Sequence, residues 1–138
     1  MPNEDLTAAL CELVGDENVL KAEGERDGYA HDRLPYANFR ARVGARVGTL
    51  PGLVLRPSST DEVVGLVKAA GKADYPLIPY GSGSGVLGGI IPLQDELMID
   101  MQRMDRILEI DEVNNLVTVE AGMNGEQFEN ALSEKGYT

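Results

Sequence analysis

Apolar residues at the start of the chain recur at helical spacing. Leu6, Ala9, Leu10, Leu13 and Val14 fall at i, i+3, i+4, i+7 and i+8, the stripe of an amphipathic helix. Asn3 or Asp5 can cap it and Gly15 can end it. Val19 to Glu23 admits a short strand or turn. The next stretch, GERDGYAHDRLPYANFRARVGARVGTLPG, keeps no period and is punctuated by glycine and proline. It is expected to be a long irregular connection, of the kind that carries function or wraps over something. Leu53 to Leu55 is a short buried strand closed by Pro57. SSTDEVVGLVKAAGKAD is the clearest helix, with a Ser59–Glu62 capping box and Val63, Leu66, Val67 and Ala70 on one face. PLIPY is a short strand that runs into a glycine-rich loop, PYGSGSGVLGG.

Beyond that loop, ELMIDM reads as a strand. RILEID, the polar turn EVNN and LVTVEAG form a hairpin-like pair, with Val117 and Val119 on one side and Leu116 and Thr118 on the other. Asn124 caps a last helix that has Gln127 at its third position and buries Phe128, Ala131 and Leu132; Lys135–Gly136 stops it. The order of elements is that of an α+β or mixed α/β fold, without regular alternation.

Composition narrows the function classes. The 138 residues are one ordinary domain, and 43% hydrophobic content suffices for a core. A formal charge of −11 argues against nucleic acid and against an anionic membrane surface, both of which need a basic face. The charge is uneven. Arg33, Arg40, Arg42, Arg46 and Arg56 lie in a stretch without acids. Either a solvated loop or a local anion or partner contact accounts for it. Cys11 is the only cysteine, so no intrachain disulfide exists; it reads as a core or boundary residue. The N-terminus lacks signal-peptide regions and no apolar run approaches a membrane span, so the cytoplasm is the expected compartment. His31 is the only histidine and reads as a surface residue, and without a His/Cys cluster no metal is expected.

The glycine loop holds the candidate chemistry. A Walker A reading needs a lysine, and none lies between Lys72 and Lys135. Gly83, Gly85 and Gly88 match G-x-G-x-x-G, but a Rossmann site needs a helix to begin inside the motif. Gly88, Gly89, Pro92 and the strand after them forbid one. Two readings survive on the residues alone: a tight turn without a ligand, and a helix-free nest of backbone N–H groups around a phosphate. In the nest, glycine supplies positive φ and close approach, and Ser82 and Ser84 add hydroxyls.

RPSSTDEVVGLVKAAGKADYPLIPYGSGSGVLGG resembles the N-terminal FAD-binding subdomain of the FAD-linked oxidases, the vanillyl-alcohol oxidase or PCMH-type flavoproteins. The likeness continues through LMIDMQRMDRILEIDEVNNLVTVEAG to the end of the chain. It covers residues 51–138 strongly and DGYAHDRLPY more loosely, the latter being similar to a Y-x-x-D stretch of the family. Within the family the motifs look nearest to alkyldihydroxyacetonephosphate synthase, the FAD-linked polypeptide of glycolate oxidase and D-lactate dehydrogenase.

The resemblance implies a PCMH-type fold, a small mixed sheet flanked by helices. It implies that Pro79, Tyr80, Gly81, Ser82, Gly83, Ser84, Gly85 and Val86 wrap the FAD pyrophosphate, with Tyr80 packed beside the cofactor. Val86 to Gly89 would continue toward the flavin or adenosine. The loop contains no histidine, so the covalent attachment that some members make there is excluded. Residues 1–50 are expected as a helix plus the arginine-containing connection, and residues 51–138 as the first FAD-binding subdomain. A second subdomain and a cap domain would lie beyond, as the partner half of one enzyme; no catalytic residue is assigned. A homodimer of the whole enzyme is compatible with this. The function implied is an FAD-dependent oxidoreductase acting on a hydroxy acid of the D-lactate or glycolate type. The alternatives are a synthase that uses the flavin without net redox, and a non-catalytic nucleotide-binding piece.

Overall fold

The computed structural model describes residues 1–137. Helix α1 (Glu4–Val14) begins where the Asn3 side chain accepts the Leu6 N–H at 2.8 Å, and ends at Gly15 in the left-handed region. It buries Leu6, Leu10 and Val14, while Leu13 lies against Gly65 of the next long helix. That helix, α4 (Thr60–Lys72), is capped by Ser59. A Cβ at Gly65 would come within 2.8 Å of the Leu13 side chain, so glycine there sets how closely α1 and α4 pack. The capping box differs from the expected one. Ser59 accepts the Glu62 N–H, but the Glu62 carboxylate turns to Ser58, taking its N–H at 2.8 Å and its hydroxyl at 2.9 Å. Leu66 and Ala70 are buried, whereas Val67 is exposed because it sits on the solvent side of the helix.

Strand β1 (Val19–Leu20) pairs antiparallel with β2 (Leu53–Leu55). β2 runs parallel to β4 (Leu97–Asp100), and β4 runs parallel to β3 (Leu77–Tyr80). The sheet order is β1-β2-β4-β3, with α4 as the crossover between β2 and β3. Every residue of β2 and β4 is buried, which is why these strands read as continuous apolar runs rather than alternating ones. Leu53, Leu55, Leu97 and Ile99 share a cluster with Leu10 of α1 and Leu66 of α4. Each fully buried leucine there contributes roughly 1.5–3 kcal/mol. The first twenty residues are thus built into the core rather than appended to it.

The stretch expected to be irregular folds into two short helices, α2 (Glu23–Arg26) and α3 (Pro35–Arg42). Periodicity is silent in both for a physical reason. The first is a single turn, and the second buries only Ala37 while Tyr36 and Phe39 are exposed. A proline at its first position supplies the α3 start signal. No helix among the described residues is long and apolar enough to cross a membrane.

Strands β5 (Ile107–Asp111) and β6 (Leu116–Val119) form a separate antiparallel pair. Their turn is closed by Asp111, whose carboxylate accepts the N–H groups of Val113 and Asn114. Two contacts seat the hairpin. The Gly122 N–H donates to the Met104 carbonyl at 2.9 Å, and a Cβ at Gly122 would stand 1.8 Å from the Met101 carbonyl oxygen. The second contact is a fork: Arg106 gives Nε and Nη2 to the two oxygens of the buried Glu120, at 3.0 and 2.7 Å. Helix α5 (Gly125–Ser133) starts at Asn124, which accepts the Glu126 N–H rather than that of Gln127, and buries no residue fully.

Hydrogen bonds from Arg106 pull the Glu120 carboxyl down to about 2. A depressed folded-state value contributes stability above the ordinary glutamate range of about 4.3, and that contribution is lost as pH falls toward the folded value. Glu120→Gln is therefore expected to lower the melting temperature near neutral pH. The gap to the wild type should close between about pH 4 and pH 2, as followed by circular dichroism.

Candidate functional site

Three parallel strands present their carboxyl ends on one edge of the sheet. β2 continues into Arg56, β3 ends at Tyr80 and opens into the glycine loop, and β4 ends at Asp100, which is in register with Tyr80. In open sheets this is the edge at which ligands bind. Asp100 is 1% exposed. Its carboxylate accepts the Tyr29 hydroxyl at 2.8 Å and the Gln102 N–H at 2.9 Å, and Arg56 Nε stands 3.6 Å away. These partners offset the cost of burying the charge. Tyr29 in turn packs on Tyr80, with ring centroids 4.8 Å apart and a tilt of 60°. Burial first, and then Asp100, hold the Tyr29 phenol far above its ordinary range, so it stays a hydrogen-bond donor. Burial and Asp100 also raise Tyr80, opposed by the charge of Arg33.

The loop that follows is held from the stretch between α2 and α3. Asp32 is 2% exposed. One of its oxygens accepts the Gly88 N–H and the other the Leu34 N–H, both at 2.8 Å. The Arg33 N–H donates to the Gly85 carbonyl, also at 2.8 Å. The loop is therefore pinned at Gly85 and Gly88. Gly83 lies in the left-handed region with φ +63°, and a Cβ there would meet the Tyr80 hydroxyl at 2.6 Å.

Gly81 and Gly89 differ from Gly83. Neither has a positive φ, and a Cβ on either would find no protein atom within 4 Å. Nothing in the protein itself requires glycine at these positions. What the missing side chains leave is room for something to lie against the main chain. Among the described residues, no N–H from Gly81 to Leu87 donates to another protein group. Ser82 and Ser84 are exposed beside them. N–H groups without a protein acceptor, two hydroxyls and open space make up the kind of donor set that a phosphate nest uses. Beside it lies a cavity of about 370 Å³, bounded by Ser82, Gln102, Asp105, Gly122 and the start of α5.

Of the residues expected at the site, Pro79 and Tyr80 close β3, while Gly81, Ser82, Gly83, Ser84, Gly85 and Val86 form the loop, exposed except at the half-buried Gly83. Sequence reasoning gave no role to Asp32 or Asp100. The available signal for the first was the Y-x-x-D spacing of Tyr29 and Asp32. The second was hidden inside an apolar strand. His31 is exposed, with its Nδ1 3.3 Å from the Asp32 carbonyl.

Residues 51–138 match the family model described as an FAD binding domain. An uncharacterized FAD-linked oxidoreductase of Mycobacterium tuberculosis is 29% identical over 96% of this chain and 27% of its own length. The glycolate oxidase subunit GlcD of Bacillus subtilis is 29% identical over 99% of the chain and 27% of its own length. A solved alkyldihydroxyacetonephosphate synthase superposes with a TM-score of 0.89 at 27% identity, over 99% of this chain and 26% of that one. The chain thus spans about a quarter of the length of the curated relatives it matches. The mixed sheet with flanking helices is the PCMH-type fold that the motifs implied.

Removing the pin should loosen the loop. Asp32→Ala leaves the Gly88 and Leu34 N–H groups without their charged acceptor, at a cost of about 1.5–3 kcal/mol. Asp32→Asn, which keeps one carbonyl oxygen, should cost less. Urea denaturation measures both, and hydrogen exchange at the Gly88 amide should accelerate in the alanine variant.

Proposed function

The chain belongs to the FAD binding domain family, and we propose that residues 79–86 hold the diphosphate of FAD in a nest of main-chain donors. The observation that carries the reading is the pairing of free N–H groups from Gly81 to Leu87 with glycines at 81 and 89 that the protein itself does not need. The donor set fits the group. A diphosphate asks for several converging donors, and the loop offers N–H groups and the hydroxyls of Ser82 and Ser84 without a carboxylate of its own. Residues 51–138 then form the first FAD-binding subdomain. Residues 1–50 contribute Tyr29, Asp32 and Arg33 to its support.

FAD, when bound, supplies hydride-accepting chemistry. This chain's residues orient it: Asp32 and Arg33 fix the loop, and the Tyr29–Tyr80 pair walls its entrance. The groups that meet substrate belong to a second subdomain and a cap domain of the complete enzyme. That enzyme is proposed to be an FAD-linked oxidoreductase for a hydroxy acid of the glycolate or D-lactate type, in line with the glycolate oxidase relative. A synthase-like flavoenzyme without net redox is the second reading, favoured by the 0.89 TM-score to the alkyldihydroxyacetonephosphate synthase.

Titration of the chain with FAD, followed by quenching of flavin fluorescence, tests the nest. Gly81→Val is expected to abolish measurable quenching while leaving the melting temperature of the free chain within about 1–2 °C of wild type, since the new side chain meets open space. Unchanged FAD binding by this variant would refute the nest. The two chemistries separate on the flavin-loaded enzyme that carries this domain. Anaerobic glycolate or D-lactate should bleach the oxidised-flavin absorbance if it is a hydroxy-acid oxidoreductase, and persistence of the band favours the synthase.

A further inference from the structure

The loop poses an electrostatic problem. The chain carries −11, and two buried carboxylates adjoin the loop: Asp32 accepts the Gly88 N–H, and Asp100 is in register with Tyr80, where the loop begins. Main-chain N–H groups carry only partial charge, and no Lys or Arg lies within residues 79–89. A diphosphate brought there would meet a field of its own sign unless a full cation reaches the site.

Most arginines are already committed. Arg46 pairs with Asp27, Arg106 with Glu120, and Arg56 with Asp100. Arg26 donates to the carbonyls of Pro51 and Gly52, and Arg103 to that of Arg56. Arg33 is different. Its main chain is fastened to the loop through Gly85, and its neighbour Asp32 is fastened to Gly88. Its side chain is exposed, and among the described residues no carboxylate lies within ion-pair distance of its guanidinium. Its charge reaches the Tyr80 hydroxyl at the loop entrance. Arg40 and Arg42 sit at the far end of α3, in its last turn.

We propose that Arg33 is the cation of the diphosphate site, carried to the glycine loop by the stretch before α3 rather than encoded in the loop. The proposal rests on the reading of the loop as an FAD diphosphate nest. It assigns a division of labour: glycine N–H groups give shape, Asp32 gives rigidity, and Arg33 gives the charge that offsets both the ligand and Asp32. An exposed guanidinium is also free to form paired hydrogen bonds to phosphate oxygens.

The test compares Arg33→Gln and Arg33→Lys with wild type in FAD titrations of the full chain, at low and at high salt. Arg33→Gln should weaken FAD binding by about tenfold at low salt, with the difference narrowing at high salt, because a screened charge contributes less. Arg33→Lys should stay nearer to wild type, and the melting temperatures of the three free chains should agree. Equal affinity of wild type and Arg33→Gln overturns the assignment and leaves the nest intact. Equal weakening by Gln and Lys at both salts also overturns it, since shape rather than charge would then be at stake. Absence of FAD binding by the wild-type chain refutes the nest and this proposal together.

Discussion

A glycine loop cannot hold itself. It has few side chains to pack and many conformations to lose on ordering, so its shape must be imposed from outside. Here the imposing group is one buried carboxylate. Asp32 sits 2% exposed between the Gly88 and Leu34 N–H groups, and the adjacent Arg33 N–H closes on Gly85. Two consecutive residues from one segment thereby fix two points of another, more than fifty positions away. Among the described residues the N–H groups from Gly81 to Leu87 have no protein acceptor, which is the state in which they can serve a ligand.

A second carboxylate organises the sheet edge beneath. Asp100 ends β4 in register with Tyr80 and binds Tyr29, whose ring then packs on Tyr80. The strand ends, the loop and the preceding segment are thus joined through polar atoms rather than through the apolar cluster, which lies under α1 and α4. The apolar cluster supplies most of the fold's stability, while the two buried acids shape the strand ends and the loop and add to stability through the N–H groups they satisfy.

For the proposed anionic cofactor the same two acids are a liability, because each adds negative charge next to the loop. In a chain of −11, donors of partial charge alone would work against the field. In the proposed assignment Arg33, which has no carboxylate partner among the described residues, answers this with a full charge and keeps the loop itself free of charged side chains.

The sequence by itself determined the elements with strong local signals. The strand Leu53–Leu55, the Ser59-capped helix and the Asn124-capped helix all stand where pattern and capping chemistry put them. The rejection of a Rossmann loop likewise needed only Pro92 and the strand that follows, because local chain direction decides whether a helix can start. Tertiary structure alone decided the rest. Asp100 looks like the end of an apolar run until the neighbouring strand sets Tyr80 in register with it. Asp32 acquires a role only when Gly88 is brought to it across the fold. The short helices α2 and α3 carry almost no buried face, so hydrophobic periodicity could not reveal them. Local signals report what a segment does with its own backbone and with the core. A polar site is made by pairing atoms from distant segments, and no spacing along the chain encodes that pairing.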